Sequence, residues 1–128
     1  MQPGRIAEFI GSELGQRMKA AAGYGKLRRE SQFVMGVPAE MIDPGMKSDE
    51  LILVQGVIDA WFEEDGKIIL IDYKTDRVPR SGGGQILVSR YGRQLDYYSY
   101  ALGRSTGRTV SEKDIYSVHL GEVIRLET

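Results

Sequence analysis

The sequence predicts an α/β fold, a central mixed β-sheet flanked by α-helices, and three observations predict it. Two stretches carry apolar residues at spacings of three and four: Ile6, Phe9, Ile10, Leu14 and Met18, then Val88, Tyr91, Leu95, Tyr98 and Leu102. That spacing is the mark of an amphipathic helix. Between them, residues 51 to 62 (LILVQGVIDAWF) and 67 to 75 (KIILIDYKT) are dense in Ile, Val and Leu, as sheet-forming segments are. The length, 128 residues with 41% hydrophobic and 27% charged, suits a single globular domain rather than a disordered chain or a coiled coil.

The first helix is expected over residues 5 to 21, with Gly23 and Gly25 ending it. The sheet core is expected over residues 27 to 76. Its first part, Leu27 to Ile42, is extended in character but broken by Gly36 and Pro38, which predicts one or two strands with a bend, and Asp43-Pro44-Gly45 reads as a turn. Its second part is a hairpin about Asp65-Gly66, a dipeptide suited to a two-residue type I′ turn because both positions need positive φ. Val78 to Gly84 reads as a mobile loop, since Pro79 and three consecutive glycines enter regular structure only at a cost. A second helix is expected over residues 86 to 104, ended by Gly103 or Gly107. Closing strands over residues 115 to 127 turn at Gly121.

Composition narrows the chemistry. No cysteine is present, which excludes disulfides, a cysteine-held zinc and an iron-sulfur cluster, and the single histidine leaves carboxylates as the main ligands for any metal. No apolar run approaches the roughly 20 residues of a membrane span, and MQPGRIAEF lacks the layout of a signal peptide. A cytoplasmic protein with no membrane partner is expected. The formal charge is −1, yet Arg17 to Arg29 holds five bases and no acid, and Arg77 to Arg93 holds four arginines and no acid. These runs are either phosphate-facing patches or solvated surface.

In the type I′ hairpin residue 64 faces 67 and 62 faces 69, which brings Asp59 opposite Asp72. Opposed Cβ atoms are about 4.5 to 5.5 Å apart, a destabilising distance for like charges unless something lies between them. Strand periodicity puts Lys74 on the face of Asp72, with Ile71 and Tyr73 pointing the other way. Two aspartates suit a hard ion, Mg²⁺ or Mn²⁺. A lysine beside it orients the attacking water and stabilises charge on a phosphorane. The bland alternative is a surface salt bridge of Lys74 with Asp72 or Asp59, plus a spare acid. Val57, Ile58, Ile69, Leu70 and Ile71 weigh against it, because unpaired aspartates in an apolar hairpin are costly.

The string VQGVIDAWFEEDGKIILIDYKTD followed by YGRQLDYYSYAL resembles the PD-(D/E)xK nuclease module of the RecB-type family of bacterial recombination helicase-nucleases, and most of all its AddAB branch. The resemblance rests on Gly56-Val57-Ile58-Asp59, on Asp72-Tyr73-Lys74-Thr75-Asp76, and on Gln94 and Tyr98 as the QxxxY helix, with Tyr91 and Ala101-Leu102 in place. Glu30 and Phe33 resemble its upstream E-x-x-F element. It implies a restriction-endonuclease-like core in which Asp59, Asp72 and the backbone carbonyl of Tyr73 hold Mg²⁺ (Mn²⁺ as substitute). It further implies that Lys74 is the catalytic lysine and that Gln94 and Tyr98 order the site or the DNA backbone beside it. Glu30 either touches metal-bound water or pairs with Arg28, and Asp76 is expected to be no more than a strand cap. Arg77, Arg80, Arg90 and Arg93 are expected to hold single-stranded DNA.

Departures from the family pattern bear on activity. Position 58 is Ile where the family's name has Pro, a variation this branch tolerates. Members carry an upstream histidine that completes the metal site, whereas the one histidine here, His119, is placed in a late strand as a structural residue. No GxxxxGK[ST] loop is present, so ATP would be used only by helicase domains elsewhere in a full-length chain. The absent cysteines fit the branch without an iron-sulfur cluster. The expected function is metal-dependent cleavage of DNA strands delivered by a helicase during double-strand break repair, with the second subunit of an AddAB-type complex as partner and weak activity in this piece alone. The alternative is a catalytically silent module that binds DNA ends or a partner in the same complex.

Overall fold

The computed structural model describes residues 9–46 and 49–127. Five strands, β1 (Leu27–Pro38), β2 (Leu51–Glu64), β3 (Lys67–Lys74), β4 (Val110–Ser117) and β5 (Glu122–Leu126), lie side by side in that order. Neighbours are antiparallel except β3 and β4, which are parallel. A parallel pair needs a crossover, and the helix following β3, residues Gly83–Thr106, supplies it. With Glu13–Gly23 as α1 and the short Ala39–Ile42 as α2, this crossover is α3. The chain is therefore an α/β fold with a mixed five-stranded sheet flanked by helices.

Each face of the sheet has its own core. Under α3, Leu87, Leu95 and Leu102 meet Leu70, Ile115 and Ile58. Under α1, Leu14 and Met18 meet Ala60, Phe62, Ile69 and Ile71. Alternation along β3 distributes these residues, Ile68 and Leu70 to one side and Ile69 and Ile71 to the other. A strand covered on both faces reads as a continuous apolar run. Leu95 is fully buried, so its truncation to Ala would cost about 2–5 kcal/mol.

The hairpin register follows from its turn. Asp65 and Gly66 both have positive φ, 54° and 76°, and the ladder runs from Glu64↔Lys67 to Ala60↔Ile71. On the α1 face Arg17 makes a paired contact to Glu64 (3.0 and 2.8 Å) and another to Glu112 (2.9 and 3.1 Å). This first member of the Arg17 to Arg29 run thus ties α1 to the sheet instead of facing a phosphate.

Several boundaries differ from those the sequence predicts. Of the helix expected over 5 to 21, residues 5–8 lie outside the described residues, and the helical turn at 9–11 is separated from α1 by Ser12. Ser12 caps α1 by accepting the Gly15 N–H at 3.0 Å. A Cβ on Gly15 would collide with the Phe9 carbonyl, so the chain enters the helix in a close fit that only glycine allows. Leu27 to Pro38 is one strand, and the bend expected within 27 to 42 comes after it, at α2. α3 begins at Gly83 rather than 86, so two glycines assigned to a mobile loop belong to its first turn. A Cβ on Gly83 would lie 2.9 Å from Val78 Cγ2 and one on Gly84 3.2 Å from Ile124 Cγ1: they are packing glycines that let the helix start press on its neighbours. β4 starts at Val110, five residues before the expected 115. His119 lies in the turn between β4 and β5, not in a strand.

One irregularity positions the site. Leu27 of β1 and Ala60 and Phe62 of β2 belong to the α1-side core, whereas Phe33 and Ile58 belong to the α3-side core. Strict alternation would keep 58 with 60 and 27 with 33. Both strands exchange faces at the same level, where Glu30 takes a left-handed φ of 50° between Arg29, paired with Ala60, and Ser31, paired with Ile58. A residue out of extended conformation moves every later side chain to the opposite face. Asp59 sits at this switch.

Candidate active site

The β2–β3 ladder stops at Ala60↔Ile71, one pair short of Asp59 and Asp72. From there β2 stays with β1, while β3 continues beside β4 through Asp72↔Ile115 and Lys74↔Ser117. The sheet forks, and Asp59 bridges the fork: its Oδ2 accepts the Tyr73 N–H at 2.8 Å. The two aspartates are neighbours across a split rather than a ladder pair, because each strand has a partner on its far side.

Asp72 is 4% exposed, too buried for the surface salt bridge considered above. Its Oδ2 lies 2.8 Å from Lys74 Nζ but receives no hydrogen bond of proper geometry. Burial first, then the neighbouring Asp59 carboxyl, pushes the Asp72 carboxyl up to about 6, against the opposing pull of Lys74. Lys74 also donates to Gln94 Oε1 at 3.0 Å, and its Nζ stands 4.0 Å from the centre of the Tyr91 ring. Residues 91, 94 and 98 follow helical spacing and share one face of α3.

Tyr98 is buried with its ring edge-on to Phe33 at 5.2 Å. A Cβ on Gly56 would lie 3.1 Å from the Tyr98 hydroxyl, so the glycine before Asp59 makes room for it. Burial, then the nearby Asp72, raises the Tyr98 phenol, keeping it a neutral group. Asp59, Asp72, Lys74, Gln94 and Tyr98 are thus gathered at one end of β3, with the Tyr73 backbone held between the aspartates. Among the described residues no group of three or more His, Asp or Glu side chains is arranged to hold a metal.

Glu30 is exposed at the face switch, and the Arg28 guanidinium goes to the carbonyls of Gly25 and Leu27. Arg77, Arg80 and Arg93 are exposed, and Arg90 pairs with Asp76 at 3.0 Å. Asp76 is more than a strand cap, since its Oδ2 also accepts the Tyr91 hydroxyl at 2.7 Å. Reading the sequence missed that link; the only signal was the place of Tyr91 one helical turn before Gln94.

Among the described residues no helix is long and apolar enough to cross a membrane. No family model matches the chain. Individual relatives do. The AddA protein of the ATP-dependent helicase/nuclease of Lachnoclostridium phytofermentans is 35% identical over 157 residues, covering 97% of this chain and 11% of that protein. The corresponding protein of Ruminiclostridium cellulolyticum is 38% identical over 126 residues, 95% of this chain and 10% of that protein. That of Pediococcus pentosaceus is 37% identical over 125 residues with the same two shares, 95% and 10%. The chain spans about a tenth of the length of the curated relatives it matches. Along almost all of its length, then, this chain is a homologue of a segment of the AddA proteins of the ATP-dependent helicase/nuclease.

Proposed function

We propose that this chain is a metal-dependent nuclease domain of the PD-(D/E)xK type that hydrolyses phosphodiester bonds in single-stranded DNA. What carries the reading is the convergence of Asp59, Asp72, Lys74 and Gln94 at the sheet fork in a homologue of proteins named helicase/nuclease. The donor set fits a hard divalent cation. Two carboxylates and the adjacent Tyr73 carbonyl are oxygen donors, and the buried Asp72 Oδ2, 2.8 Å from the Lys74 ammonium, receives no well-aligned hydrogen bond, as suits Mg²⁺ or Mn²⁺ retaining several waters. Such an ion, when bound, polarises a phosphoryl oxygen and acidifies a coordinated water.

The chain's own groups supply the rest. Lys74 places a fixed positive charge beside Asp72, where negative charge on a transferring phosphoryl group is stabilised without reorganisation. Gln94 holds that ammonium from the helix side, and Tyr98 with Gly56 packs the wall behind Asp59. Arg77, Arg80 and Arg93 offer exposed cations to a phosphate backbone, and Arg90 does so in part. In the longer polypeptide, helicase domains consuming ATP would deliver the strand, in the cytoplasm, with the second subunit of an AddAB-type complex beside it. This chain itself has no cysteine with which to hold an iron-sulfur cluster.

Cleavage of a labelled single strand in Mg²⁺ tests the proposal. Lys74→Ala and Asp72→Ala should each lower the rate by about 100-fold or more, and an unchanged rate in both would overturn it. The lack of a third His, Asp or Glu beside the aspartates among the described residues favours weak cleavage by this chain alone. It also supports a second reading, a catalytically silent module binding DNA ends or a partner protein of the same complex. Single-strand binding with no Lys74-dependent cleavage, in this chain and in a longer one, would select that reading.

A further inference from the structure

We infer that Tyr91 is a positioning residue that holds the Lys74 ammonium at its working place through the face of its ring, while its own hydroxyl is anchored on Asp76. The inference rests on the reading of Lys74 as the charge facing the phosphoryl group.

Three contacts fix the lysine: Asp72 Oδ2 at 2.8 Å, Gln94 Oε1 at 3.0 Å and the Tyr91 ring at 4.0 Å from its centroid. The first is an ion pair and the second a hydrogen bond, both made by the end of a flexible four-carbon stem. Without a third support the ammonium can swing between them or out toward solvent, as lysine side chains do. The ring closes that escape. Its negative face attracts a cation lying over it, and 4.0 Å is well inside the range of about 6 Å over which the attraction is felt.

The ring is itself held from its far end. The Tyr91 hydroxyl donates to Asp76 Oδ2 at 2.7 Å, and Arg90 Nη1 donates to the same oxygen at 3.0 Å. These donors hold Asp76 below the ordinary carboxylate range, the Tyr91 hydroxyl foremost, and the anionic Asp76 in turn raises the Tyr91 phenol. The phenol therefore stays a neutral donor, and the ring carries no charge of its own under the lysine. Asp76 is two residues past Lys74 in the chain, so a short loop leaves β3, and its carboxylate reaches back through Tyr91 to steady the last side chain of the strand. This arrangement is fastened at both ends to α3 and β3, and it supports the lysine without touching a substrate.

The test compares Tyr91→Phe with Tyr91→Leu in this chain. Phe keeps the ring and loses the anchor; Leu keeps apolar bulk and loses the ring. The Lys74 Hε resonances are read by NMR, because a ring face above the ammonium end shifts them upfield. The expected result is an upfield shift in the wild type, largely kept in Tyr91→Phe and abolished in Tyr91→Leu. In cleavage, kcat should fall about ten-fold in Tyr91→Leu and less than about three-fold in Tyr91→Phe, with KM for the strand unchanged in both. Equal Lys74 shifts in wild type and Tyr91→Leu, or equal losses in Phe and Leu, would overturn the inference. Failure of the nuclease reading is seen separately, as cleavage that does not depend on Lys74, and the NMR comparison still decides whether the ring holds the lysine.

Discussion

On the α1 face of the sheet, Glu112 and Asp114 of β4 meet two guanidinium groups: Arg17 binds Glu112 and Glu64, and Arg125 binds Glu112 at 2.9 Å and Asp114 at 3.1 Å. On the α3 face, Asp59 accepts the Tyr73 N–H while Asp72 meets a single ammonium, Lys74, which is also claimed by Gln94 and a ring. Both pairs place two acids together, and in both one carboxyl is pushed up chiefly by burial, Asp114 to about 7 and Asp72 to about 6. The difference lies in the cations that meet them. Forked guanidinia from two separate elements grip the first pair and staple α1 and β5 to the sheet, although Asp114 Oδ2, like Asp72 Oδ2, receives no hydrogen bond. The second pair has a single point charge at the opening of a fork, the arrangement on which the proposed metal site rests. Carboxylate pairs build a brace with arginines on one face of the sheet and a candidate reaction centre with a lysine on the other.

Breaking the brace should show the largest effect. Arg17→Met removes the link between Glu64 and Glu112, leaving Glu112 with Arg125 alone, and should destabilise the fold by about 2 kcal/mol in urea titration, whereas Lys74→Met should cost less, because Asp72 can take up a proton instead. A near-equal cost for the two would erase the distinction drawn between the faces.

The brace also carries a pH signature. The folded Asp114 carboxyl lies above its ordinary 3.8, at about 7, so the folded state holds a proton that the unfolded chain releases. The resulting stability is full below about pH 4 and is lost as pH rises through 7, by about 1.4 kcal/mol per pH unit at most. Glu112 is lowered, and its contribution is lost only as pH falls through its folded value, below that window. Asp114→Asn should therefore make the stability profile less steep below about pH 7, and nearly flat between about 6 and 7, since Asp72, pushed up to about 6, still contributes below that, with Glu112, Arg17 and Arg125 still in place. A profile as steep as the wild type's would assign the proton elsewhere.

The fork should respond to metal and the brace should not. At about ten times its dissociation constant, Mn²⁺ or Mg²⁺ should stabilise the wild type by about 1.4 kcal/mol, visible as a thermal shift. The shift should vanish in Asp72→Ala and survive in Asp114→Asn. Its survival in Asp72→Ala would place the metal outside the fork. The smallest effect belongs to the wall behind the site: Gly56→Ala brings a Cβ to 3.1 Å from the Tyr98 hydroxyl and 3.2 Å from Phe33 Cε1. It should cost about 1 kcal/mol and move the Tyr98 ring resonances, leaving the brace residues untouched.

Much of this arrangement follows from short-range rules. Asp65-Gly66 supplies the two positive φ values of a tight turn, and that turn determines the β2–β3 register from which Asp59, Asp72 and Lys74 emerge as neighbours. Helical spacing likewise places Tyr91, Gln94 and Tyr98 on one face of α3. These results need only the covalent chain and its nearest neighbours, so the sequence by itself determined them. The start of α3 is misread for the same reason in reverse: Gly83 and Gly84 look like breakers locally, and only Val78 and Ile124 pressing against them explain why a helix needs glycine there.

What only the tertiary structure decided are contacts between distant parts of the chain. The parallel pairing of β3 with β4 pulls the sheet apart at Asp59 and turns a cross-strand pair into a fork. Arg17 and Glu112 are 95 residues apart, and nothing in the Arg17 to Arg29 run distinguishes a brace from a phosphate patch. The Tyr91 ring reaches Lys74 only after α3 has packed over the end of β3. Turn geometry and helical period are fixed by backbone sterics within a few residues, whereas which arginine closes which acid depends on how separate elements share the burial of one core.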